Sequence, residues 1–172
     1  MELPKVILPI DPNELYRLYA KIGCAVWSIQ VLEDTLSYYL IMINKTPGKI
    51  SAEDANKQLG INRRGTLGKL LVEYKKEKKV DLELEKRIDA FLQERNWLIH
   101  NSRRSHHAAL YHVLKNEKLK ELFERLDALA DEATALNKCF VAELGEYLQS
   151  VGVSKEEVNR NANKVLHSWM ND

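Results

Sequence analysis

Arg95, Asn96 and His100 are the residues whose types and spacing could do chemistry. They end a segment, about 82 to 100, in which Leu84, Ile88, Phe91, Leu92, Leu98 and Ile99 fall within about 60° of one direction at 100° per residue. Arg95 sits at the centre of that apolar stripe. A guanidinium stays charged at any accessible pH, so burying it costs several kcal/mol unless an acid, a phosphate or trapped water compensates. Asn96 and His100 are four apart and stack on one side of the helix, while Arg95 and His100 diverge by about 140° around its axis. The long arginine stem can still carry its head toward the imidazole. Such a convergence works best where the helix ends or meets a second copy of itself, and it predicts a homodimer with a shared groove. A plainer reading stands beside it on the residues alone: Arg95 pairs with an acid on a neighbouring helix, and His100 lies against the C-terminal helix dipole.

Other chemistries lack their residues. Gly60 to Gly65 has the glycine spacing of a phosphate loop, but Thr66-Leu67 stands where Lys-Ser/Thr would have to grip phosphate and magnesium. His106, His107 and His112 have no HExxH pattern, nearby Cys or acidic cluster at ligand spacing, so no metal site is expected. There is no GxSxG elbow, and neither Cys24 nor Cys139 has a flanking sequence that marks an activated thiolate. The two cysteines lie too far apart for a CxxC site and are expected to be buried thiols. No cofactor is expected.

The elements that must position Arg95 and His100 are helical. Asp11-Pro12-Asn13-Glu14 combines an N-cap acid, proline at N1 and an acid at N3. From there Leu15, Leu18, Ile22, Ala25, Ile29, Leu32, Leu36, Tyr39 and Ile43 step by three and four, forming one seam to about Asn44. Ser51 and Asp54 resemble a capping box opening a short helix closed by Gly60, and Leu67, Leu70, Leu71 and Tyr74 define another face running into Lys75–Lys79. Asp81 caps the helix that carries Arg95. Leu119, Leu122, Leu126, Leu129, Ala133, Leu136 and Phe140 mark a second long seam, extended by Leu144 and Leu148 toward Gly152 and expected to partner the first. Ser154 and Glu157 open a terminal helix with Val158, Ala162, Val165 and Trp169 on one face. No convincing period-two alternation occurs. The prediction is an all-α fold, an up-and-down bundle of four to five main helices plus short ones, in a single domain 1–172 with residues 1–10 as an extended arm.

Composition agrees. The chain has 172 residues, 45% apolar and 30% charged, the balance of one water-soluble domain with a core. Lys plus Arg number 26 against 25 Asp plus Glu, so the formal charge of +1 gives no global pull toward nucleic acid or membrane, and an anionic ligand must meet a local cluster. Tyr38 to Ile43 is the longest apolar run, far short of the roughly 20 residues of a membrane span, and the N-terminus lacks a signal-peptide pattern. A cytoplasmic protein is expected.

Arg95-Asn96-Trp97-Leu98-Ile99-His100 resembles the R-x4-H motif, in its R-N-x-x-x-H form, of the HEPN superfamily (higher eukaryotes and prokaryotes nucleotide-binding). The likeness in architecture covers residues 11–150. It gains specificity from the arginine in an apolar stripe and from the Arg103-Arg104 pair that follows. Membership would imply a metal-independent endoribonuclease, commonly a toxin or antiviral defence protein, with a cleft assembled from two subunits. On that resemblance His100 would act as general base or acid on the ribose 2′-hydroxyl or the leaving oxygen, Arg95 would hold the scissile phosphate, and Asn96 would orient one of them. Cleavage would leave a 2′,3′-cyclic phosphate and a 5′-hydroxyl, and DNA would not be cut. Arg103 and Arg104 would track the RNA backbone, with His106 and His107 as weaker candidates; otherwise they belong to a solvated loop. A cognate antitoxin or inhibitor is a further candidate partner. The chain departs from members paired with a nucleotidyltransferase antitoxin, which carry tyrosine two residues after the histidine where Ser102 stands here. The alternative to an enzyme is a non-catalytic HEPN-like helical module that binds RNA, nucleotide or a protein.

Overall fold

The computed structural model describes residues 11–45, 54, 57, 67–77, 82–102, 115–154 and 156, and every regular element among them is helical. The fold is all-α. Four helices are described: α1 (Pro12–Lys45), α2 (Leu67–Glu77), α3 (Leu82–Asn96), which continues into a π-helical turn Trp97–Asn101, and α4 (Lys115–Ser150). The arm 1–10, most of the helix expected at 51–60, the Asp81 cap, the polar run 103–107 and the terminal helix beyond Glu156 lie outside the described residues.

Helix α1 starts as its sequence dictates. The Asp11 carboxylate accepts a hydrogen bond from the Asn13 N–H at 2.7 Å, and the Asp11 carbonyl accepts the first helical bond from Leu15 at 2.9 Å. An N-cap acid thus satisfies a donor that has no intrahelical partner. Helix α4 ends on Gly152, whose φ of 86° is the left-handed conformation a glycine adopts without a Cβ penalty. The Gly152 N–H bonds to the Gln149 carbonyl at 3.1 Å and the Val153 N–H to the Leu148 carbonyl at 2.9 Å, the paired closure of a Schellman motif.

The two long seams meet as expected. Leu18, Ala25, Ile29, Leu32, Leu36 and Tyr39 of α1 are buried, as are Leu119, Leu122, Leu126, Leu129, Ala133, Leu136 and Phe140 of α4. The helices run parallel, since Lys21 pairs with Asp127 and the Tyr39 hydroxyl donates to Glu143 at 3.2 Å. The Tyr74 hydroxyl of α2 donates to the same carboxylate at 2.9 Å, and the Tyr74 ring packs edge to face with both Tyr39 and Phe140. Burial and the acceptor Glu143 push the Tyr74 hydroxyl's pKa well above the usual phenol range.

Helices α2 and α3 form an antiparallel hairpin laid against this pair. Lys75, at the end of α2, reaches Asp89 at 2.7 Å and Glu85 at 3.4 Å on the first half of α3. Helix α3 in turn runs antiparallel to α4, with Arg87 bonded to Glu132 at 3.0 Å and Glu94 to Arg125 at 2.6 Å. The result sets the C-terminal end of α3, and with it Arg95, beside the N-terminal end of α2 and the middle of α1.

Candidate functional site

The motif residues straddle a change of helix type. Arg95 and Asn96 are the last α-helical residues, and His100 belongs to the π-helical turn, closed by the Ser102 N–H bonding to the Trp97 carbonyl. A turn closed by i→i+5 bonds holds more residues than an α-turn, so residues five apart return toward one side. The 140° separation expected between Arg95 and His100 assumes α-helical phase throughout, and the wider turn narrows it. The same change of phase overturns one expectation: Ile99, assigned to the apolar stripe, is half exposed, while Trp97 is buried. Trp97 lies under the Arg125 guanidinium of α4, 3.5 Å from its ring centroid, and so anchors the turn to the neighbouring helix. The Ser102 hydroxyl donates back to the Leu98 carbonyl at 2.6 Å.

Arg95 is mostly buried, with 19% of its side chain exposed, and its first neighbour is an acid that the sequence did not single out. One terminal nitrogen lies 3.5 Å from Glu33 Oε1 on α1, and the other donates to Asn96 Oδ1 at 3.3 Å. The Nε–H is buried and has no acceptor among the described residues. A buried donor left without a partner costs about 1–3 kcal/mol, so this guanidinium is held but not saturated. Glu33 is itself under strain of desolvation. Burial raises its carboxyl pKa above the usual glutamate value, and Asp34 adds to the rise, against the opposing pull of Arg95 and of the Leu67 backbone N–H at the start of α2. Three chain segments therefore converge on one charge pair: Glu33 from α1, the N-terminus of α2, and Arg95 from α3.

His100 is exposed on the same turn and shares no hydrogen bond with Arg95. The Asn96 side-chain oxygen accepts from Arg95 on the preceding position. Arg103 and Arg104 lie outside the described residues, as do His106, His107 and His112. Among the described residues no group of three His, Cys, Asp or Glu side chains could hold a metal ion. Cys24, expected to be buried, is exposed on α1, because the seam residues on either side of it turn toward α4 and leave position 24 on the outer face; Cys139 is half-buried.

A groove of about 490 Å³ lies apart from Arg95, between α3 and α4. Phe91 and Leu129 line it beside Ala90 and Ala128, and the Arg87–Glu132 and Arg125–Glu94 pairs bound it. Its charges are already paired with one another, so it offers no free group to a charged ligand.

Glu33 was missed by the sequence reading because an acid beside Leu32 in a heptad seam looks like a flank residue facing water. Nothing in the residue types of 97–101 marks a π-turn. No protein-family model, curated protein or solved structure matches the chain. No helix among the described residues is long and apolar enough to cross a membrane.

Proposed function

We propose that the chain is a metal-independent endoribonuclease of HEPN type, of the kind that serves as a toxin or antiviral defence effector, cutting RNA through attack of the ribose 2′-hydroxyl. The observation that carries this reading is the half-satisfied Arg95: a mostly buried guanidinium with one 3.5 Å contact to a desolvated carboxylate and an Nε–H without an acceptor among the described residues. A phosphate meeting the exposed part of this guanidinium would supply a fuller counter-charge than the single 3.5 Å contact does, in the planar, two-point geometry that arginine favours. His100, exposed one π-turn further on, is free to exchange a proton with solvent and substrate, as a general acid or base must. In this reading Asn96 steadies the guanidinium, and Arg103 and Arg104 follow the RNA backbone. Two copies would complete the cleft, and an inhibitor protein would act by covering it.

The test is cleavage of a panel of RNAs in EDTA by wild type, His100→Ala and Arg95→Ala. Products ending in 2′,3′-cyclic phosphate from wild type alone are expected. Identical RNA patterns from wild type and His100→Ala would sink the catalytic assignment.

A second reading is favoured by the Arg95–Glu33 contact itself, which makes Arg95 a structural partner in a non-catalytic helical module that binds RNA, nucleotide or protein. On that reading Arg95→Ala strands Glu33 and lowers stability by several kcal/mol. On the enzymatic reading Arg95→Ala keeps the fold and loses the activity.

A further inference from the structure

Helix α1 buries one face against α4 and leaves a second, apolar face uncovered by any described element. Tyr16, Tyr19, Trp27, Val31 and Tyr38 are all exposed, Tyr16 by 76% and Trp27 by 70%. Tyr16, Trp27 and Tyr38 recur every eleven residues, a spacing that keeps side chains on one side of a helix over a long run. Ala20 and Gly23 fill the same face between them, and a Cβ placed on Gly23 would meet nothing within 4 Å. Asp34 is the only charged residue within about 60° of this line from Tyr16 to Tyr38, so the face does not suit a polyanion.

The face is close to symmetrical about its midpoint. Trp27 is equidistant from Tyr16 and Tyr38, and Gly23 is as far on one side as Val31 is on the other. Two α1 helices laid antiparallel across a two-fold axis at Trp27 would set Tyr16 against the partner's Tyr38 and drop Val31 into the space above the partner's Gly23. Self-complementarity of that sort is what a two-fold interface requires. Four aromatic side chains exposed to this degree, at roughly 200 Å² each, offer about 500 Å² per copy. Two copies would bury on the order of 1,000 Å² from these side chains alone, the area at which specific interfaces begin.

We propose that this aromatic face of α1 is the surface on which two copies of the chain associate, antiparallel about Trp27. The association does not rest on the nuclease reading: Glu33, which holds Arg95, lies about 120° round α1 from Trp27, toward the packed helices, so this contact is separate from the shared cleft of that reading.

Sedimentation equilibrium of the full chain tests it. Wild type is expected to be a dimer, Trp27→Glu and Gly23→Glu monomers with unchanged helical content by circular dichroism, and Val141→Glu, on the exposed side of α4, still a dimer. Gly23→Glu is the cleaner variant, because the added side chain has open space in the protomer and replaces glycine in a helix interior. In a background of Cys24→Ser and Cys139→Ser, the double variant Tyr16→Cys and Tyr38→Cys should oxidise to links between positions 16 and 38 of different copies. Links of 16 to 16 overturn the antiparallel arrangement. A monomeric wild type overturns the proposal, whether Trp27→Glu then lowers the thermal midpoint, meaning another segment of the chain covers the face, or weakens RNA binding, meaning bases stack there. Dimerisation that survives both glutamate variants overturns it too. RNA cleavage plays no part in these readouts, so a failed nuclease assay and a failed association are told apart.

Discussion

The α1–α4 seam and the C-terminal end of α3 are built by opposite rules. Along the seam the buried positions from Leu18 to Tyr39 and from Leu119 to Phe140 are apolar apart from Ser37, whose hydroxyl donates to the Glu33 carbonyl at 2.8 Å; the helices run parallel, and charged pairs such as Lys21–Asp127 stay at the seam's edge. At the end of α3 a guanidinium occupies the inward position, its carboxylate partner is desolvated, one of its donors lacks an acceptor among the described residues, and the backbone changes from α to π within the motif. The seam meets most local preferences, its exception among the described residues being the Asn137 Oδ1, buried without a donor. The end of α3 breaks several, and in natural proteins such conflicts collect where function demands them.

That contrast breaks most readily at the seam. Leu36→Ala, at a fully buried position, should lower unfolding free energy by about 2–5 kcal/mol in chemical denaturation, because the surrounding helices close only partly over the lost methyl groups. A loss under about 1 kcal/mol would mean that the seam is not the main core.

His100→Ala should leave stability within about 0.5 kcal/mol of wild type, since the side chain is exposed, yet reduce cleavage by roughly 10²–10⁴-fold. Arg95→Ala should lose activity as fully, with a stability cost of no more than about 1–2 kcal/mol, because the carboxylate it leaves behind already tends to take up a proton. A cost near 4 kcal/mol would make the end of α3 a structural ion pair and merge the two regions into one.

Glu33→Gln sharpens the comparison through pH. The folded-state pKa of Glu33 is raised, so the protonated form is the one the fold prefers; its contribution is fully present below the unfolded pKa and is lost as pH rises through the folded value. Glutamine imitates the protonated acid at every pH. The thermal midpoint of wild type relative to Glu33→Gln should therefore fall as pH rises through the range just above ordinary glutamate titration, and stay level beyond it. A difference that moves the other way would mean that Arg95 outweighs desolvation. The smallest effect is expected at Lys120, whose exposed pair with Glu124 spans 3.7 Å on the surface of α4; Lys120→Ala should change stability by no more than about 0.5 kcal/mol.

Much of the architecture was legible before any coordinate. Asp11-Pro12 announced the start of α1 and Gly152 the end of α4, because caps and left-handed glycines act through bonds only a few residues long. The seams were legible because a helix repeats every 3.6 residues and burial follows the repeat. The site was legible only in part. Arg95 stood out as a charge in an apolar stripe, but Ile99 was placed inward by carrying the α-helical phase across a turn that is π-helical. Cys24 was assigned to the interior from its residue type, although its position turns outward.

By itself the chain's order of residues determined that it would be helical, where α1 begins and α4 ends, which faces the long helices bury and that Arg95 would be out of place among them. Those properties are settled within a few turns of backbone. Tertiary structure alone decided that Glu33, 62 residues earlier, would meet Arg95, that the Leu67 N–H would share the carboxylate, and that Trp97 would lodge under Arg125. Such meetings depend on the angles and offsets at which separate helices pack, and these follow from the shapes of whole buried faces rather than from the spacing of residues along any one of them.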